Sequence, residues 1–191
     1  MYRRILAASL LALAACGSDA TSPAASTLTA ADAAELAPRF GALATALLAL
    51  PAGTPGMDVM TGTLPLQATR PCPSGGSTSV RGTLAFSVDA AARSGTYTLA
   101  ATSVPSACAF PRRDGGTVSI TGNPGITVGV TQSVAAGVPG VRTATQKGAF
   151  TWTRGGASGS CSLDLASSFD PTKGTNTVRG TFCGFPVDVT R

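Results

Sequence analysis

The chain has 191 residues, 12% charged and 43% hydrophobic, with 23 glycines, 13 prolines, five cysteines and no histidine. That balance excludes a disordered chain, leaves enough length for one domain with a real core, and rules out His-based acid–base catalysis, metal ligation and pH switching. The net charge of +5 is spread thinly: besides Arg3-Arg4 the adjacent basic pair is Arg112-Arg113, with only Phe110 near it, so it is read as a solvated loop and no nucleic-acid partner is expected.

Met1-Tyr2-Arg3-Arg4 is a short positive segment, and eleven mostly apolar residues follow from Ile5 to Ala15. This is the layout of an export signal, and it falls short of the roughly 20 residues a spanning helix needs. The run closes on Leu13-Ala14-Ala15-Cys16-Gly17, which resembles the lipobox of bacterial lipoproteins: leucine, two small residues, then the lipidated cysteine. The resemblance covers only the start of the chain. It implies that residues 1–15 are a cleaved signal peptide, that the Cys16 thiol receives a diacylglyceryl group, and that the new amine of Cys16 is then acylated. The membrane is thus the first expected partner, because two or three acyl chains hold a soluble domain stably where one is marginal. In a Gram-negative envelope, Gly17 in place of Asp implies outer-membrane sorting, facing the periplasm. Once Arg3 and Arg4 are removed, 12 basic residues face 9 acidic ones, and the overall charge no longer argues for a polyanionic partner.

Residues 16–27 are small, polar and Pro-containing, the composition of a flexible tether behind the anchor. An amphipathic helix is expected over residues 28–53. Thr29-Ala30-Ala31-Asp32 has the form of an N-cap with an acidic residue three places on. Leu36, Phe40, Leu43, Leu47 and Leu50 recur at helical spacing and define one face. Pro38 within the run predicts a kink or a start there, and Pro51 with Gly53 predicts the end. The helix lacks the basic polar face of membrane-surface helices, so it is expected to pack on the sheet that follows.

Residues 54–191 form a β-rich domain. From about residue 60 the pattern has period two: Val80, Leu84, Phe86 and Val88 alternate with Arg81, Thr83, Ala85 and Ser87. Asp89 to Ser94 is a turn, and Tyr97, Leu99 and Ala101 resume the alternation. Further runs are Val118-Ile120, Ile126-Val130, Phe150-Trp152, Cys161-Leu165, Val178-Phe182 and Val187-Val189, separated by breaks such as Arg154-Gly156 and Asp170-Gly174. Short strands with one apolar face predict a mainly-β fold: an antiparallel sandwich or barrel-like sheet of about eight or nine strands with one N-terminal helix. Val80-Arg81-Gly82-Thr83-Leu84 is echoed by Val178-Arg179-Gly180-Thr181-Phe182. If the echo is a duplicated hairpin, a β-bulge at Cys183-Gly184 keeps Phe182 and Phe185 on one face.

With Cys16 assigned to lipid, an even set remains in an exported chain, which predicts two disulfides. Cys161 and Cys183 flank the Asp170-Gly174 turn almost symmetrically and are expected to pair, leaving Cys72–Cys108 by elimination. No metal site or cofactor is expected: there is no CxxC, and the cysteine spacings are not those of zinc ligands. No catalytic residues are assigned. There is no GxSxG, no SxxK and no phosphate-binding glycine loop, Gly156-Ala157-Ser158-Gly159 is read as a turn, and the single glutamate, Glu35, sits on the expected helix. Three functions remain open. The preferred one is a non-enzymatic envelope lipoprotein with a structural or partner-binding role. The others are a lipid or small-ligand carrier with an apolar cavity, and a His-free hydrolase using Ser and Asp.

Overall fold

The computed structural model describes residues 28–47 and 60–191; Cys16, Leu50 and the helix stop at Pro51 and Gly53 lie outside them. Helix α1 (Ala30–Ala46) opens at Thr29, whose backbone is extended. The Asp32 amide donates to Thr29 Oγ1 at 3.2 Å, and the Thr29 amide donates to Asp32 Oδ2 at 2.8 Å. This reciprocal capping box satisfies two donors that the first helical turn leaves unpaired. Pro38 lies buried in the interior of α1, which neither starts nor stops there.

The helix face differs from the expected leucine stripe. Ala33, Leu36, Ala37, Phe40, Gly41 and Ala44 are buried, whereas Leu43 is 37% exposed. Small residues win this face because they let the helix seat close to the sheet. A Cβ on Gly41 would lie 2.6 Å from Val178 Cγ2, too close for any real contact. Leucines at 43 and 47 are displaced to the rim, where they cover only part of their surface.

Among the described residues ten strands follow: β1 (Met60–Pro71), β2 (Ser77–Asp89), β3 (Ser94–Ser106), β4 (Cys108–Pro111), β5 (Thr117–Ala135), β6 (Val138–Pro139), β7 (Arg142–Arg154), β8 (Ala157–Asp170), β9 (Thr175–Phe182) and β10 (Phe185–Thr190). They make one antiparallel sheet in the order β1-β2-β3-β5-β7-β8-β9-β10, with β4 and β6 also pairing on β5. The mainly-β antiparallel fold with one N-terminal helix stands. Its strands belong to a single sheet that does not close, with β1 and β10 at the edges.

Register puts the apolar residues of every strand on one face. Leu64, Leu84, Leu99, Val130, Ala144, Ser167, Val178 and Val189 align across the sheet as one row on that face, buried at the centre and exposed at Leu64 on the β1 edge. Helix α1 lies over this face at β5 and β7 to β10. At the centre the Phe40 ring packs against Phe110, Phe150 and Phe182, with centroids 5.5, 5.8 and 5.4 Å away. Aromatic contacts at these distances add to the area term and fix the helix over one part of the sheet.

Two local expectations change. Val118-Ile120 and Ile126-Val130 belong to one 19-residue strand, β5, which absorbs its glycines through a register shift between Gly122 and Gly125. Cys183 and Gly184 do not form a bulge. Both have positive φ (53° and 80°) and make the two-residue turn of the β9–β10 hairpin, with Phe182 and Phe185 paired directly. The echoed segments are therefore not duplicated hairpins, since β2 runs straight on through Phe86 while β9 ends at Phe182. What they share is placement: Val80 and Val178 are fully buried, and Arg81 and Arg179 point to the opposite, solvated face.

Charged side chains hold the helix at both ends. Asp32, with no exposed side-chain surface, meets Arg112 at 2.8 Å and Arg154 at 3.0 Å. Arg112 also pairs with Asp114 at 3.0 Å, and the Arg113 amide donates to Glu35 Oε1 at 3.0 Å. The Arg112-Arg113 pair is thus a helix-docking element rather than a solvated loop. At the other end, Arg142 Nη1 donates to the Thr45 carbonyl at 2.6 Å and its Nε donates to Gln132 Oε1 at 3.1 Å. A guanidinium on a terminal carbonyl satisfies an acceptor the helix cannot, and suits the negative end of its dipole.

Candidate functional site

Of the residues singled out in the sequence, Cys16 lies outside the described residues. The other four form two disulfides. Cys72 joins Cys108 across a Cα separation of 5.4 Å, tying the end of β1 to β4. Cys161 joins Cys183 at 4.8 Å, tying β8 to the β9–β10 turn. Four cysteines committed in this way leave no thiol for catalysis or metal binding among the described residues. No cluster of metal-ligating side chains occurs among them, and no described helix is long and apolar enough to cross a membrane.

The buried acid, Asp32, has the chemistry of a lock. Burial alone would raise its carboxyl, but hydrogen bonds from Thr29 and the charges of Arg112 and Arg154 outweigh that and hold it below the usual range. Among the described residues no serine bonds to it: its side-chain partners are Thr29 and the two arginines. Ser158 sits in β8 beyond the turn at Gly155 and Gly156, facing solvent.

Beneath α1, Phe40, Leu43, Ala44 and Leu47 face Val80, Phe110, Ile126, Val128 and the Cys72–Cys108 bridge around an apolar cavity of about 40 Å³. Gln146 reaches into this core, where its amide nitrogen donates to the Phe40 carbonyl at 3.1 Å. A space of that size holds water, not an acyl chain or a drug-sized ligand, for which pockets of roughly 300–1,000 Å³ are usual. The helix and sheet bury a filled core.

The opposite face of the sheet is different. Thr63, Thr98, Thr131, Thr143, Thr177 and Thr190 fall on one row across the strands, with Ala85 and Ser168 completing it. A neighbouring row reads Gln67, Arg81, Thr102, Thr127, Lys147, Asp164, Thr181. Between these rows Ala100 and Gly129 pair directly and lower the surface, opening a trough of about 440 Å³ walled by Thr102, Thr127 and Thr145. Arg81 stands at one end and Lys147 at the other. Lys147 pairs with Asp164 at 2.8 Å, and that hydrogen bond, together with the carboxylate charge, holds its ammonium above the ordinary lysine range. Arg81 takes no ion-pair partner among the described residues.

Sequence reading missed this trough because it exists only across strands. Arg81, Gly129 and Lys147 share no local spacing; three cross-strand registers bring them together. The signal available in the sequence was the polar half of each alternating run, which carried hydroxyls and small residues and almost no bulky side chains. No protein-family model, curated protein or solved structure matches the chain.

Proposed function

We propose that this is an exported, lipid-anchored protein of the cell envelope, held by Cys16, with a non-enzymatic role in binding a partner. The observation that carries the reading is the ordered run from Arg3-Arg4 through the apolar segment to Leu13-Ala14-Ala15-Cys16. The two disulfides support it, since such bonds persist in oxidising compartments outside the cytoplasm. The filled core under α1 favours this reading over a carrier of lipids. The partners of Asp32 favour it over a Ser–Asp hydrolase, because the buried carboxylate is spent on arginines and a helix cap. In a Gram-negative host the anchor places the domain on the periplasmic side of the outer membrane.

Metabolic labelling with a clickable palmitate analogue tests the anchor. The wild-type chain is expected to take label and to fractionate with membranes, and Cys16→Ala to lose both properties. Equal labelling of the two chains would overturn the assignment.

A further inference from the structure

We propose that the trough over Ala100 and Gly129 binds a negatively charged sugar unit, a uronate or a phosphorylated hexose, with Arg81 holding the anion and Lys147 bonding to sugar hydroxyls at the opposite end. This rests on the partner-binding role proposed above and gives it a ligand class. The trough is shallow and open to solvent, and its volume of about 440 Å³ admits about one or two sugar rings laid across the strands. Sugars present many hydroxyls, each both donor and acceptor, and the trough answers with hydroxyls. Thr127 Oγ1 already donates to the Lys147 carbonyl at 2.8 Å, so it faces a ligand as an acceptor. Thr102 and Thr145 make no side-chain hydrogen bond to the described protein and are free to donate or accept.

Charge decides which sugar. A neutral saccharide is usually held by stacking on an aromatic ring, but the trough has none, and none of the side chains lining it is an aromatic or large aliphatic anchor of the kind that makes a protein hot spot. The same lack argues against a nucleobase. Two cations remain, three strands and roughly 14 Å apart at the usual strand spacing of about 4.8 Å, with Asp164 on the far side of Lys147 from the trough. The Lys147 ammonium gives Asp164 one hydrogen bond and has others to offer a ligand. A second hollow on this face, about 330 Å³ around Thr96 and Ser133, carries Asp89 and no cation, so an anionic ligand selects the first. The trough lies on the face opposite α1, so filling it leaves the core undisturbed.

The test uses the full chain extracted from membranes in detergent. Calorimetric titration compares a uronate-containing disaccharide, glucose 6-phosphate, the neutral disaccharide cellobiose and inorganic phosphate. At least one anionic sugar is expected to bind at least tenfold more tightly than cellobiose, and which one does names the source of the charge. Arg81→Gln is expected to weaken it roughly fivefold, the scale of one exposed charge contact, and high salt to act in the same direction. Gly129→Val fills the trough. Its Cβ would meet Thr145 Oγ1 at 2.9 Å, the end of a side chain that can rotate away, so the fold survives and binding is lost. Cellobiose or inorganic phosphate binding as tightly as the anionic sugars overturns the proposal. So does an absence of all binding by a chain with an intact circular-dichroism spectrum, or an unchanged affinity in Gly129→Val. If sugar binding fails while Cys16 still takes palmitate, the trough assignment falls and the envelope reading stands.

Discussion

Asp32 and Arg154, 122 positions apart in the chain, meet at 3.0 Å and fasten the first turn of the helix to the β7–β8 end of the sheet. Arg112 closes the same carboxylate from the β4–β5 hairpin at 2.8 Å. Two cations around one buried anion form a lock whose removal leaves charge behind. Asp32→Asn keeps the shape and part of the cap but leaves Arg154 without a carboxylate partner among the described residues and Arg112 with Asp114 alone. It is expected to cost about 3 kcal/mol, the scale for breaking a buried ion pair from one side. Urea denaturation measures this, and an unchanged midpoint would show that the pairs contribute nothing to stability.

The same carboxylate sets the acid limb of stability. Its folded-state value lies below the ordinary 3.8, so its contribution is present above that unfolded value and is lost as pH falls through the lower, folded one. With no histidine in the chain, no imidazole titrates between about pH 5 and 8, and the urea midpoint is expected to be level there. Below about pH 4 it should fall, and fall less steeply in Asp32→Asn. Asp170, held at about 2 by Thr172 and then Lys173, sits half-buried at the end of β8 and adds to the acid limb in both proteins alike, so the difference between them reports Asp32. Parallel acid limbs in the two proteins would remove Asp32 as the cause.

Gly41 is the closest approach of helix to sheet. An added Cβ would meet Val178 Cγ2 at 2.6 Å and Ser167 Cβ at 3.2 Å, both on packed strands. On propensity alone Gly41→Ala gains roughly 1 kcal/mol in a helix interior. The clash should outweigh that gain, because overpacking costs about 1–3 kcal/mol. A net loss in thermal stability is therefore expected where an exposed helix would gain. A rise in Tm would mean that the helix can lift off the sheet without penalty.

Where the sequence was readable, a one-dimensional pattern had one physical cause. Val80, Leu84, Phe86 and Val88 alternate because one sheet face carries the apolar side chains and the other is wet, and Thr29 with Asp32 announces a helix start because capping is local. The two hairpin cysteines at 161 and 183 were legible because a turn at Asp170–Gly174 folds them opposite each other. Reading failed where the cause was tertiary. The buried helix face is chosen by how closely Ala33, Ala37, Gly41 and Ala44 let the backbone approach, and alanine and glycine contribute almost nothing to an apolar stripe. Arg112 looked like a loop residue because its partner, Asp32, is distant in sequence. Gly122 and Gly125 looked like a strand break because a register shift mimics one. The trough was invisible for the same reason, since it is a row across strands.

The two disulfides divide the labour of stabilising a sheet that has free edges. Cys72–Cys108 spans 36 positions and pins the β1–β2 edge hairpin to β4, whereas Cys161–Cys183 spans 22 and reinforces a hairpin the ladder already closes. By loop-closure entropy each contributes about 3–4 kcal/mol, slightly more for the longer span. The difference in position matters more than the difference in length. The far edge of β1 pairs with no described strand, and α1 packs mainly on β7 to β10, so among the described residues the Cys72–Cys108 bridge is the disulfide that holds that end of the sheet to the core. Replacing Cys72 and Cys108 by alanine should lower Tm by roughly 5–15 °C. It should also speed hydrogen exchange in β1 and β2 selectively. Replacing Cys161 and Cys183 should lower Tm comparably while leaving the exchange of β1 unchanged. Uniform exchange in both double variants would show instead that the sheet opens as one cooperative unit.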